Sequence, residues 1–186
     1  MIEELLSTVA RCLDERNIPH MIIGGQAVLV YGSPRLTRDI AITLGITPDK
    51  YALVKAVCVA AGLRMLPKNP RTFAEETMVL PAEDIKGGLR VDFIFSGTPY
   101  EETALRRVRK IVVGGYPIKF ASPEDVIIHK MIAGRAVDEE DVKNILIKLG
   151  KKVDSTYIQK WLSEFEAIPE HRAVTKKFKA LLKQLV

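Results

Sequence analysis

The sequence predicts an α+β protein, a two-layer α/β arrangement that ends in a helical appendage. Three observations predict it. Residues 38–44 and 89–95 alternate apolar with polar side chains at the period of a strand. Residues 2–16 and 48–61 instead repeat their apolar positions at the period of a helix. After Ser122 only helical periodicities remain, so strands and helices interleave first and helices close the chain.

Taken in order, Ile2, Leu5, Leu6, Val9, Ala10 and Leu13 give the first helix one apolar face, and Asn17 and Pro19 end it. A short buried strand is expected at about residues 20–23, with His20 a surface or packing residue. Gly24-Gly25 then break the chain before a short helix over 27–31, and Gln26 sits at that helix's first turn. A polar loop, 32–37, carries Arg35 and Thr37. The second strand, from about Arg38 to Leu44, sets Asp39, Ala41 and Thr43 on one face and Ile40, Ile42 and Leu44 on the other. One carboxylate thus faces a glycine pair at a strand–helix turn. Backbone N–H groups at such a turn can hold phosphate oxygens while a nearby carboxylate holds Mg²⁺.

Thr47 and Pro48 open a helix that Gly62 ends. Residues 67–72 read as a polar loop. Strands follow over 77–81 and 89–95, with a turn at Lys86-Gly87-Gly88. Asp92 interrupts an otherwise apolar strand and needs either a paired cation or a bound ion. A short charged helix is expected over 100–108, and a hairpin over 111–120 that turns at Gly114-Gly115. Ser122, Pro123 and two acids start a helix that contains His129 and Lys130 and stops at Gly134. Asp138-Glu-Glu-Asp141 opens the next, to about Leu149, and these acids complement the helix dipole. Residues 150–154 are the expected boundary between a domain over 1–150 and an extension over 151–186. That extension holds two helices, 155–167 and 170–185, with a lysine-rich face on the last.

At 186 residues with a net charge of +5, the chain is long enough for one core, and its charge permits a polyanionic partner without requiring one. No apolar run reaches membrane-spanning length, and the acidic N-terminal segment does not read as a signal peptide. Cys12 and Cys58 lie in helical patterns and read as buried, reduced thiols. A cytoplasmic location is the expectation.

Several motifs now combine. Gly24-Gly25, then Arg35-Leu-Thr37-Arg-Asp39-Ile-Ala41-Ile, resembles the signature of nucleotidyltransferases of the DNA polymerase β superfamily, in particular the AbiEii-like branch that includes toxin nucleotidyltransferases. Arg90-Val-Asp92-Phe-Ile-Phe, Pro99-Tyr-Glu and the segment from Ala121 through Lys130, Arg135, Asp138 and Asp141 follow in the order of that branch. The resemblance spans roughly residues 1–150. It implies a polymerase-β-type fold, with a mixed sheet of about five strands flanked by helices. It implies transfer of a nucleotide from an NTP to an acceptor, with tRNA or other RNA the first expectation. A toxin role would bring an antitoxin protein as partner. Asp39 and Asp92 are the implied metal ligands, with Asp92 also the base near the acceptor. Two Mg²⁺ ions are expected in an intact site. Gly24, Gly25, Gln26, Arg35, Thr37 and Lys130 are the implied nucleotide-binding residues, Lys130 offsetting triphosphate charge. The resemblance also implies that the acids over 138–141 flank the active site and pair with Arg135 or Lys130.

The chain departs from this pattern once. The branch carries Asp-x-Asp on the second strand, whereas this sequence reads Asp39-Ile40-Ala41. The position of the second aspartate carries a methyl group, through natural degeneration or through alteration. Impaired turnover with retained nucleotide binding is the expectation. Alternative readings are a small-molecule or protein acceptor, a non-catalytic nucleotide- or RNA-binding module, and an antitoxin-like regulator.

Overall fold

The computed structural model describes residues 2–37 and 39–185, so the expected strand start at Arg38 lies outside the described residues. Its backbone contacts divide the chain into two units. One comprises Met1–Gln26 and Thr37–Ala121, the other Ala27–Leu36 and Ser122–Val186.

The first unit holds the sheet. Its strands are β1 (His20–Ile23), β2 (Asp39–Leu44), β3 (Leu63–Met65), β4 (Val79–Asp84), β5 (Arg90–Phe95), β6 (Arg109–Val113) and β7 (Tyr116–Phe120). They form one seven-stranded sheet in the order β3-β4-β5-β2-β1-β7-β6. The expectation of about five strands is therefore corrected to seven. β3, the strand that no pattern announced, is three residues long, too short to show a period. The sheet is mixed: β2 pairs with β5 in parallel and β1 pairs with β7 in parallel, while the other pairs are antiparallel.

Apolar alternation decides which face is covered. Ile22, Ile40, Ile42, Leu44, Val91 and Phe93 are fully buried. They share a face, because register partners such as Ile22–Ile42 and Ile42–Phe93 point the same way. Helix α1 (Ile2–Glu15) packs on β7 and on α3 (Tyr51–Ala60), burying Leu5, Leu6, Val9, Ala10 and Leu13. Asn17, at φ 53, turns the chain out of α1 into β1. Cys12 and Cys58 are buried and free, and burial pushes the Cys58 thiol up to about 12. The expected loop over 67–72 becomes the start of α4 (Pro70–Thr77), with Pro70 in its first turn and left-handed Met78 ending it. α5 (Pro99–Arg106) begins with a capping box between Thr98 and Glu101.

The boundary between the units falls within α2 (Gly24–Tyr31). The second unit is helical: α6 (Pro123–Ala133), α7 (Ala136–Leu149), α8 (Ser155–Phe165) and α9 (Val174–Leu185). Ser122 caps α6 by accepting from the Asp125 N–H, and Gly134 ends it at φ 65. Residues 122–186 group together in this unit. α6 packs on both α7 and α8, and α9 packs on α7 and α8, so the last two helices share one core with the first two. Ile127, Ile145, Leu162 and Phe178 are fully buried in that helical unit. Among the described residues, no helix is long and apolar enough to cross a membrane.

Candidate active site

The sheet face opposite Ile40 and Ile42 carries the acidic residues at its exposed end, while Thr43, farther along the same face, is buried. On β2, Asp39 is exposed and Ala41 half-buried, while Ile40 and Ile42 point to the core. On β5, Arg90 is exposed and Asp92 half-buried, while Val91 and Phe93 point to the core. Parallel register sets Asp39 beside Arg90 and Ala41 beside Asp92. Asp39 and Asp92 are then diagonal neighbours on one face. Two strands far apart in sequence thus aim carboxylates into one region. The Arg90 guanidinium holds Asp92, its Nε donating to Oδ1 at 2.9 Å and to Oδ2 at 3.1 Å. The pair is on the surface, with the Asp92 side chain 23% exposed.

The glycine pair abuts this face. Antiparallel register sets Ile23 beside Ala41, and Gly24 follows at φ +64. A Cβ on Gly24 would lie 3.4 Å from the Ala41 Cβ. A Cβ on Gly25 would lie 2.8 Å from the Thr37 Cβ, closer than carbon atoms pack. Gly25 is therefore needed for the approach of Thr37, and Gly24 for its left-handed backbone. Gln26 is buried in the same turn, and its Nε2 has no hydrogen-bond partner among the described residues.

The donor set limits what metal could sit here. Two carboxylates, Asp39 and Asp92, suit Mg²⁺, a hard cation that commonly takes one or two carboxylates and completes its shell with water and phosphate oxygens. The methyl group of Ala41 adds no donor between them. No group of three or more His, Cys, Asp or Glu side chains that could hold a metal occurs among the described residues. The residues fit one ion held jointly with substrate, not a closed protein cage.

The second unit assembles a separate charged cluster. Lys130 is buried, and its Nζ donates to Asp138 Oδ1 at 2.7 Å and meets Asp141 Oδ2 at 2.9 Å. Arg35 grips Asp141 with two bonds, Nε to Oδ1 at 2.8 Å and Nη2 to Oδ2 at 2.9 Å. Arg135 does the same to Asp138, Nε to Oδ2 at 2.6 Å and Nη2 to Oδ1 at 3.0 Å. Burial alone would raise both aspartates. Hydrogen bonds from Arg135 and Lys130 outweigh it at Asp138, which falls to about 2, and bonds from Arg35 and Lys130 lower Asp141. Three cations face two anions, so one positive charge is left over. It emerges where side chains reach solvent, at Arg35, 32% exposed, and Arg135, 69% exposed.

The structure thus brings together Gly24, Gly25, Thr37, Asp39, Ala41 and Asp92 in one unit, and Arg35 with Lys130 in the other. His20 is a buried packing residue whose Nδ1 meets the Ile18 carbonyl at 2.9 Å, as its position beside the strand suggested. Sequence reasoning missed Arg90 as the specific partner of Asp92. The signal was there: a spacing of two on a strand puts both side chains on one face. It also left Asp138 and Asp141 between dipole complement and ion pair, and they are ion pairs.

The family model described as "Nucleotidyl transferase of unknown function (DUF2204)" matches residues 68–180, more than half of the chain. That segment contains Asp92, Lys130, Asp138 and Asp141 and begins after Asp39. No curated protein sequence matches. Among solved structures, the chain is similar to the solution structure of the antibiotic-resistance factor ANT(2'')-Ia, with a TM-score of 0.63, 19% identity, and coverage of 91% of this chain and 95% of that one. A crystal structure of ANT(2'')-Ia in complex with adenylyl-2''-tobramycin gives 0.59, 17%, 96% and 97% in the same order. The lincosamide antibiotic adenylyltransferase LnuA, bound to lincomycin, gives 0.54, 13%, 76% and 94%. At these identities the likeness is one of fold. With the family model covering most of the helical unit as well as β5, the chain belongs to the family of nucleotidyl transferases of unknown function, and is a nucleotidyltransferase.

Proposed function

We propose that this chain carries out metal-assisted transfer of a nucleotide from an NTP to a hydroxyl-bearing acceptor, and that Ala41 holds its turnover low. The observation that carries the reading is the shared face of Asp39, Ala41 and Asp92 beside Gly24. In the transfer, the acceptor oxygen bonds to the α-phosphorus as the bond to the bridging oxygen breaks. Pyrophosphate leaves with that electron pair, and the acceptor proton passes to Asp92. Asp39 and Asp92 would hold Mg²⁺, which when bound neutralises phosphate charge and steadies the attacking and leaving oxygens. The N–H groups after Gly24 and Gly25, with Thr37, cradle phosphate oxygens. The Gln26 amide, whose Nε2 has no partner among the described residues, supplies a donor there. Arg35 and Lys130 serve nucleotide binding through the helical unit's cluster, Lys130 by holding the two aspartates that orient the guanidinium groups.

Restoring the third carboxylate tests this. The Ala41→Asp variant should incorporate labelled NTP at least tenfold faster than the present chain, with Mg²⁺ required. Equal rates would remove the metal assignment, and inactivity of both would favour the non-catalytic module.

The acceptor has two readings. A small hydroxylated molecule is supported by the neighbouring folds, which include proteins solved with an adenylylated antibiotic and with lincomycin. RNA, in a toxin that an antitoxin restrains, is supported by the chain's net charge of +5 and the lysines of α9.

A further inference from the structure

We propose that the open edge of β6 docks an extended acidic segment of a partner protein, which adds to the sheet as an eighth strand. This surface lies on the far side of β1 and β7 from the two carboxylates, and the inference does not depend on the transfer reading.

Register shows which backbone groups of β6 are open. It is the last strand of the sheet and pairs with β7 alone. Gly114 and Gly115, at φ 58 and 78, make a two-residue turn, so Val113 and Tyr116 exchange backbone bonds across it. Bonded pairs then alternate along the hairpin. Ile111 with Ile118 and Arg109 with Phe120 are bonded, whereas Lys110 and Val112 turn their N–H and C=O groups away from β7. Pro117, which has no N–H, sits opposite Val112, where no bond to β6 is lost. Those outward groups meet no partner among the described residues. Edge strands are commonly blunted by a bulge or a proline. β6 has neither: its five pairs run in continuous register, and Val112 is 70% exposed.

Charge selects the occupant. No acid occurs in the sequence between Glu102 and Glu124. Lys119 is held by Asp14, which also accepts from the Tyr116 hydroxyl at 2.9 Å. Arg106 donates to the Thr103 hydroxyl at 3.3 Å, and Glu102, one turn earlier on α5, offsets its charge. Arg109 and Lys110 remain, both exposed and without an ion-pair partner among the described residues. The other acids of α1 do not cancel them. Glu15 lies 3.8 Å from Arg16, and Glu3 and Glu4 line a cleft with Gly114 at the turn. From Lys110 to Gly114 a strand advances about 14 Å, beyond the ~8 Å over which salt screens exposed charges. The start of β6 is thus positive after every pair is counted. A second copy suits this edge poorly: antiparallel pairing gathers the cations of both strands, and parallel pairing sets like charge beside like. Nucleic acid answers the cations but not the alternating N–H and C=O groups. An acidic strand answers both, with its carboxylates opposite Arg109 and Lys110 and an apolar residue opposite Val112.

Blocked heptapeptides test this against the full chain: Ser-Thr-Val-Thr-Glu-Glu-Ser, a twin with Lys-Lys in place of Glu-Glu, and a form with Pro in place of Val. Amide NMR titration reads binding, and hydrogen exchange reads the edge. The acidic peptide should bind saturably, slow exchange at the Lys110 and Val112 amides, and bind about tenfold more tightly than either of the others. Val112→Pro removes an N–H that β7 does not use and should weaken the acidic peptide about tenfold. The proline-bearing peptide makes the same test with the protein intact. Arg109→Glu combined with Lys110→Glu should reverse the choice between the acidic and lysine peptides, while unshifted core amides report an intact fold. Absence of binding, equal binding of the acidic and lysine peptides, or unchanged exchange at Lys110 and Val112 would overturn the proposal. So would protection of those two amides by oligouridylate in place of the peptide, or by a rise in protein concentration alone.

Discussion

One methyl group, at Ala41, stands in the register position between the glycine turn and Asp92. Its neighbours are set by close packing, and this makes the turn sensitive to single atoms. Gly25→Ala should destabilise the protein by about 1–3 kcal/mol through overlap with Thr37. Pairing it with Thr37→Gly should recover part of that loss. Urea unfolding of the singles and the double measures the coupling, and additive losses would mean the two residues do not meet. At the proposed metal ligands, Asp39→Asn should weaken Mg²⁺-dependent NTP binding about tenfold or more, read by calorimetry, because a neutral amide replaces a charged donor.

At the scale of elements, α6 and α7 are joined by buried charge. Lys130→Met should cost about 3–5 kcal/mol in urea, since it leaves Asp138 and Asp141 buried with fewer partners. The pH dependence has a definite sign. Asp138 lies at about 2 in the folded state against an ordinary value of 3.8. A lowered folded value gives stability that is complete above about pH 4 and is lost as pH falls towards 2. Acid unfolding followed by circular dichroism should show this loss, and it should be shallower in Asp138→Asn. The elements also show what the sequence could and could not reveal. β2 and β5 were legible because Ile40, Ile42 and Leu44, and Val91, Phe93 and Phe95, recur at a period of two while Asp39 and Asp92 fall on the other face. The start and end of α6 were legible because Ser122, Pro123 and Gly134 act locally. β3 is too short to carry a period, and α4 hides behind Pro67 and Pro70. The burial of Lys130 depends on α6 meeting α7, which no local pattern encodes.

For the molecule as a whole, charge and fold bear on the acceptor. Supplied with labelled NTP, the Ala41→Asp protein should label a small hydroxylated compound in preference to total RNA. Label appearing only in RNA would select the polyanion reading instead. One further consequence follows from the parallel pairing of β2 with β5. Between those strands the chain must complete α3, β3, α4 and β4, so the acidic face depends on a late, non-local contact. During synthesis, a chain that has emerged only through β4 carries Asp39 and the glycines but cannot yet juxtapose a second carboxylate. The two carboxylates therefore meet only once β5, through Phe95, has left the ribosome.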